Sequence, residues 1–191
     1  MRITGGTLRG RILKAPQGMD TRPTADRVRE SLFNILAHHD WGDGISDVLE
    51  GAVVLDAFAG TGALGIEALS RGAASCSFFE VDHSALKTLK ENISLMKLGE
   101  HATVLSTDVT RPPKAPLGAC ASLVFLDPPY HKGLIERAVA GLDEKGWIAP
   151  TALLVCETAK DEEPDLPEVF TPLFHKIYGS TALRFYGRFT G

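Results

Sequence analysis

The chain has 191 residues, 44% of them hydrophobic and 23% charged, with a formal net charge of -4. That length supports one well-buried core and is too short for two comfortable domains. No apolar run approaches the roughly 18 residues that span a bilayer, and Met1-Arg2-Ile3-Thr4-Gly5-Gly6 lacks the apolar centre of a signal peptide. A cytoplasmic protein that meets no membrane is expected.

The charge is unevenly spread. Residues 1–35 hold seven basic side chains (Arg2, Arg9, Arg11, Lys14, Arg22, Arg27, Arg29) against three acidic ones (Asp20, Asp26, Glu30), a balance of +4 that leaves -8 for the remainder. A basic arm on an acidic body is where a polyanion would dock. Short β-compatible pieces, Ile3-Thr4, Thr7-Leu8 and Ile12-Leu13, lie between Gly5-Gly6 and Gly10 and predict a small hairpin or extended arm. After Arg22-Pro23, Thr24 is an N-cap candidate, and Val28, Leu32, Ile35 and Leu36 recur at helical spacing to about His39. Residues 1–40 are thus read as a basic arm and helix, and 41–191 as the main domain.

From Ala52 onward, apolar strands alternate with helical stretches, the pattern of a parallel sheet covered on both faces. Strands are predicted near 53–57, 75–80, 103–106, 123–126 and 153–157, and helices near 63–71, 84–98 and 133–142. The segments 173–177 and 182–189, around Gly179-Ser180, carry the signature of an antiparallel hairpin. The Pro-rich, polar stretches 111–118 and 161–167 read as surface loops.

Cys76, Cys120 and Cys156 are odd in number and widely spaced, which gives neither a disulfide framework nor a zinc site. Cys76 and Cys156 lie in apolar runs and read as core. The six histidines show no metal-ligand spacing, and no metal site is assigned.

Two constellations carry chemistry. In Val53-Val54-Leu55-Asp56-Ala57-Phe58-Ala59-Gly60-Thr61-Gly62-Ala63-Leu64-Gly65, the glycines satisfy G-x-G-x-x-G between a strand and a helix, and Glu80 follows twenty residues after Gly60. A dinucleotide is the default guess for that pattern. Asp56 argues against it, because a carboxylate beside a pyrophosphate would repel it. It suits a cationic ligand group, such as the ammonium of S-adenosylmethionine, with Gly60 and Gly62 permitting close backbone approach. Glu80, with Val81, is positioned to take ribose hydroxyls, and Asp108, with Val109, to take an adenine amino group. For Asp108 an ordinary turn role is the competing reading.

The second constellation is the apolar strand Leu123-Val124-Phe125-Leu126 ending in Asp127-Pro128-Pro129-Tyr130. Asp127 can accept a hydrogen bond from an NH2 group, the X-Pro peptide frees a carbonyl, and Tyr130 offers a ring for stacking a base.

Together these elements resemble the class I S-adenosylmethionine-dependent methyltransferases, in the branch that methylates planar exocyclic amino groups. The segment Arg22-Pro-Thr-Ala-Asp-Arg-Val-Arg-Glu-Ser-Leu-Phe-Asn34, with Arg2-Ile-Thr-Gly-Gly6, Leu8-Arg-Gly-Arg11 and Ala63-Leu-Gly-Ile-Glu-Ala-Leu-Ser-Arg-Gly72, is similar to the RsmD family. The resemblance implies an α/β, Rossmann-like fold: a seven-stranded, mostly parallel sheet with an antiparallel C-terminal hairpin and a small N-terminal β-hairpin and helix extension. It further implies a metal-independent, monomeric methyltransferase acting on the 2-amino group of guanine 966 of 16S rRNA, in the small ribosomal subunit or its assembly intermediate. Asp127, Pro128, Pro129 and Tyr130 would form the catalytic wall. Asp56, Phe58, Gly60, Gly62, Glu80, Val81, Asp108 and Val109 would hold the methyl donor, and Arg9, Arg11, Lys14, Arg22 and Arg27 the RNA. The alternatives are a DNA adenine or other amino-directed methyltransferase, a dinucleotide-dependent oxidoreductase, and a non-catalytic RNA-binding module.

Overall fold

The computed structural model describes residues 1–15, 23–41 and 47–188. In chain order these contain α1 (Pro23–His38), β1 (Val53–Asp56), α2 (Ala63–Ser70), β2 (Ser75–Phe79), α3 (His83–Leu95), β3 (Ala102–Leu105), β4 (Ala121–Leu126), α4 (Leu134–Glu144), β5 (Ile148–Ala159), β6 (Phe170–Tyr178) and β7 (Thr181–Arg188). The strands form one sheet in the order β3-β2-β1-β4-β5-β7-β6. β1 to β5 run parallel, β7 lies antiparallel to β5, and β6 antiparallel to β7. The predicted parallel sheet closed by a hairpin is what forms.

Alternate strand residues feed two cores. Val54, Phe78, Leu123, Phe125, Val155 and Phe185 face α1, α2 and α3, whereas Leu55, Phe79, Val124, Leu126, Leu154 and Cys156 face α4 and Trp147. Burial on both faces explains the near-continuous apolar runs of β1, β4 and β5. Strand order reverses between β1 and β4, so their carboxyl ends flank the crevice where ligands of open α/β sheets bind. Among the described residues, no helix is long and apolar enough to cross a membrane.

The N-terminal hairpin is smaller than its sequence suggests. Arg2 and Ile12 form a lone antiparallel bridge, and Thr7-Leu8 sits in a turn. Across the hairpin the Ile3 amide donates to the Arg11 carbonyl (3.0 Å) and the Leu13 amide to the Met1 carbonyl (3.1 Å), while its turn bonds to the domain: the Thr7 amide donates to the Ser70 carbonyl (2.7 Å) and the Leu8 amide to Ser70 Oγ (2.9 Å). Gly6, at φ +74°, lies so close that a Cβ would fall 1.7 Å from the Ser70 oxygen. Ile3, Leu13, Val28, Leu32, Phe33 and Leu36 belong to the same core as β1 and β4. The arm and α1 therefore share the domain's core.

Candidate active site at the carboxyl edge of the sheet

Asp56 ends β1 and is only 2% exposed. Its Oδ2 accepts from the Gly65 amide at 3.0 Å, so it ties the strand end to the first turn of α2. Burial raises its pKa, the Gly65 donor opposes the rise, and the nearby Glu80 charge adds to it, leaving it at about 7. A carboxyl with this value holds a proton through part of the neutral range until a cation arrives.

The glycines divide their labour differently from the sequence expectation. At Gly60 (φ +53°) a Cβ would meet no protein atom within 4 Å, so that position borders open space. At Gly62 (φ +82°) a Cβ would strike Leu89 Cδ1 at 2.4 Å, and at Gly65 it would strike Phe78 and Cys76. Gly62 thus permits helix packing and a left-handed N-cap for α2.

Glu80 follows β2 with its carboxylate held by backbone. Oε2 accepts from the Gly60 amide (2.8 Å), and Oε1 from the Val81 and Asp82 amides (2.7 Å each). Three of about four acceptor positions are filled. Val81 beside it is 61% exposed, an apolar surface at the mouth of the crevice, and Phe58 is half-buried against the second core. Asp108 is exposed; its Oδ1 accepts from the Thr110 hydroxyl (2.7 Å) and amide (2.9 Å), bonds that lower its pKa, while Arg111 lies 3.6 Å from Oδ2. This is the turn geometry that competed with its ligand role, and it leaves Oδ2 toward solvent. Val109 is 3% exposed and belongs to the core.

Across the crevice, the register pairs Leu126 of β4 with Cys156 of β5, which brings the next residues, Asp127 and Glu157, side by side. Tyr130 folds back over them: its hydroxyl donates to Glu157 Oε1 at 2.8 Å and lies 3.2 Å from Thr181 Oγ1 on β7. Pro128 is buried and Pro129 exposed. Asp127 is exposed, and its carboxyl faces the charges of Glu157 and Asp56. Desolvation, then the Glu157 and Asp56 charges, push its pKa well above the carboxylate range. Burial raises Glu157 as well, against the Tyr130 donor, and burial leads the causes that raise the Tyr130 phenol. His131, at φ +59°, and Gly133, the left-handed N-cap of α4, complete the turn.

The RNA candidates meet unequal fates. Arg11 donates to the Leu95 carbonyl (2.9 Å) and Lys14 pairs with Glu91 (2.8 Å), both exposed. Arg9 and Arg27 are exposed and form no ion pair among the described residues. Arg22 lies outside the described residues. Arg29, counted in the basic arm, is 6% exposed and turned inward.

Sequence reasoning missed three residues. Glu157 closes the apolar run Leu153-Leu154-Val155-Cys156 as Asp127 closes its own, a parallel that the strand register makes meaningful. Glu67, fully buried on α2, accepts from the Thr4 and Gly5 amides and the Thr4 hydroxyl at 2.6–3.1 Å, pairs with Arg71 at 2.9 Å, and has Arg29 at 3.7 Å. Its signal was one acid in the helix 63–70, which is otherwise free of charge. Asn92, also fully buried, accepts from the Lys14 amide (2.8 Å) and donates to the Lys14 and Thr61 carbonyls (3.1 and 3.0 Å), tying the arm to the glycine loop.

Known proteins share this architecture. A family model described as Conserved hypothetical protein 95 matches residues 1–187. Ribosomal RNA small subunit methyltransferase D of Escherichia coli (strain K12) is 39% identical over 189 residues, covering 98% of this chain and 90% of that protein. The protein of that name from Haemophilus influenzae is 38% identical, covering 97% and 93%. The solved structure of yhhF from Escherichia coli superposes with a TM-score of 0.82 at 36% identity, over 100% of this chain and 99% of that one. On this agreement, along almost its whole length, the chain belongs to the ribosomal RNA small subunit methyltransferase D family.

Proposed function

We propose that this protein transfers a methyl group from S-adenosylmethionine to the 2-amino group of guanine 966 of 16S rRNA, as a monomer acting in the cytoplasm on the small ribosomal subunit or its assembly intermediate. The observation that carries the reading is the wall Asp127-Pro128-Pro129-Tyr130, braced by Glu157 and facing the glycine loop across one switch point. The family relationship supports the substrate class.

The residues present fit this cofactor better than a dinucleotide. Asp56, Glu80, Asp127 and Glu157 make the edge acidic, which favours a cationic ligand and opposes a pyrophosphate. Gly60 borders open space where a backbone can approach a ligand. Asp56 would meet the ammonium, and Glu80 a ribose hydroxyl with its remaining acceptor position. Val81 and Phe58 would give apolar contact, and Asp108 and the Val109 backbone would take the adenine edge. When bound, the cofactor supplies an electrophilic methyl group on a sulfonium.

The protein's own contribution is positioning. Asp127 and the Pro128 carbonyl would each accept one hydrogen of the amino group, and the Tyr130 ring would stack on a base turned out of its RNA context. A guanine amino nitrogen is a weak nucleophile because its lone pair is delocalised, so orientation and local electrostatics must supply most of the acceleration.

The test is incubation with labelled S-adenosylmethionine and small subunits lacking the modification, followed by mapping of the labelled nucleotide. Label on the 2-amino group of guanine 966 is expected; label on another nucleotide, or on DNA adenine alone, would overturn the reading. In a melting assay, S-adenosylhomocysteine at 100 times its dissociation constant should stabilise by about 2.7 kcal/mol, and NAD should not.

A further inference from the structure

Beside the catalytic wall stands a carboxylate with no part in gripping the base or the cofactor. Glu157 lies next to Asp127 because β4 and β5 are parallel with Leu126 opposite Cys156, so both acids leave the sheet at the same level. Its Oε1 receives the Tyr130 hydroxyl at 2.8 Å, and that hydroxyl also reaches Thr181 on β7 at 3.2 Å. A glutamate placed only to anchor a tyrosine could be replaced by a neutral acceptor. Setting a second negative charge against Asp127 instead costs energy in the empty site.

We infer that Glu157 is a positioning residue for methyl transfer: it fixes the Tyr130 ring through the hydroxyl and, by its charge, makes Asp127 a stronger acceptor for the protons of the target amino group. The inference rests on the proposed amino-directed reaction. As the bond from nitrogen to the methyl carbon forms, the carbon–sulfur bond breaks with its electron pair staying on sulfur. The nitrogen, now cationic, must lose one of its two protons. The Asp127 carboxylate, already accepting one N–H, is placed to take that proton and pass it to water. Burial and the Glu157 charge both raise the proton affinity of Asp127. The groups facing Asp127 are Glu157 on β5, Asp56 on β1 and the Tyr130 phenol on its own loop, and none of them is a cation. Methyl transfer places a positive charge at the nitrogen, where this acidic pair stabilises it.

Glu157→Gln separates the two duties, since the amide oxygen still accepts from Tyr130 while the charge is gone. Asp127 must be ionised to accept the amino protons, so the single-turnover rate should rise with pH through its titration. In Glu157→Gln that rise should move to lower pH by about one unit, with the plateau about tenfold lower, because Asp127 becomes a weaker base. Carbon-13 NMR of the Asp127 carboxyl in the same variant should show the downward shift without any turnover. Glu157→Asp, which keeps the charge, should restore the wild-type limb, and Tyr130→Phe, which removes the donor that favours ionised Glu157, should lower the rate and move the limb by less than Glu157→Gln does. An unshifted limb and an unshifted carboxyl titration in folded Glu157→Gln would overturn the role. If wild-type enzyme instead labels no guanine, the reaction assignment fails, while the NMR titration still tests the coupling between the acids.

Discussion

Glu67 and the group formed by Asp56, Asp127 and Glu157 are carboxylates of one chain in opposite electrostatic circumstances. Glu67 is fully buried and saturated by two backbone amides, a hydroxyl and two guanidinium groups. At the sheet edge, Asp56 has the Gly65 amide and Glu157 the Tyr130 phenol, and desolvation is the leading cause that raises the pKa of each of the three acids. A compensated acid fastens architecture. An uncompensated one stores a demand for positive charge or hydrogen-bond donors that a ligand must meet.

The largest effect should follow from breaking the compensated site. Glu67→Ala leaves Arg29 and Arg71 without their shared carboxylate and strips the Thr4 and Gly5 amides of their acceptor. A loss of about 3–5 kcal/mol is expected in denaturant unfolding. A cost below about 1 kcal/mol would place Glu67 with the ordinary helix residues.

The next effect concerns Asp56, where the sign is opposite. Its folded pKa of about 7 lies above the ordinary aspartate value of 3.8, so the fold favours the protonated form. That contribution is fully present below about pH 4 and is lost as pH rises through 7, about 4 kcal/mol in all. Asp56→Asn should flatten this part of the stability curve in the unliganded protein. A cationic ligand selects the ionised form, so S-adenosylmethionine affinity should climb with pH up to about 7, with proton release detectable by calorimetry in buffers of different ionisation enthalpy. Affinity independent of pH between about 5 and 8 would move the ammonium contact elsewhere.

Asp127→Ala comes third. Turnover should fall roughly 100-fold, about 2.7 kcal/mol, with cofactor binding retained, by analogy with deleting one transition-state hydrogen-bond partner. Folding stability should hold or rise, because an acid that faces two like charges is removed. Near-normal single-turnover rates would sink the role.

The sheet was legible because both of its faces are buried, which writes each strand as an apolar run that ends abruptly in an acid or a turn. Asp56, Glu80 and Asp127 stood out for that reason. Glu157 did not, since its meaning depends on the register between β4 and β5, and register across a crossover is not a local property. The packing need at Gly62 was hidden for a related reason: a glycine required by Leu89 of another helix looks the same in sequence as one required by a ligand. The arm's pieces suit strands and do pair as a small hairpin, but its further bonds to α2 and α3 are not local to it and could not be read from its own sequence.

The smallest effect tests the arm's charge. Composition made Arg9, Arg11, Lys14, Arg22 and Arg27 equivalent, but in the structure Lys14 already faces Glu91 and Arg11 is engaged with the Leu95 carbonyl. A cation engaged with its own protein displaces fewer counterions from RNA than a free one. Arg9→Ala with Arg27→Ala should therefore reduce the slope of log affinity against log salt by about one for each phosphate left without its cation, with cofactor affinity unchanged. Arg11→Ala with Lys14→Ala should reduce it by less, because those two cations already answer to the Leu95 carbonyl at the end of α3 and to Glu91, and their removal frees groups that water can satisfy. Equal slopes for the two double variants would mean that RNA pulls Lys14 and Arg11 from their partners on docking, and the arm would then share with the sheet edge the property of keeping its charge for a ligand.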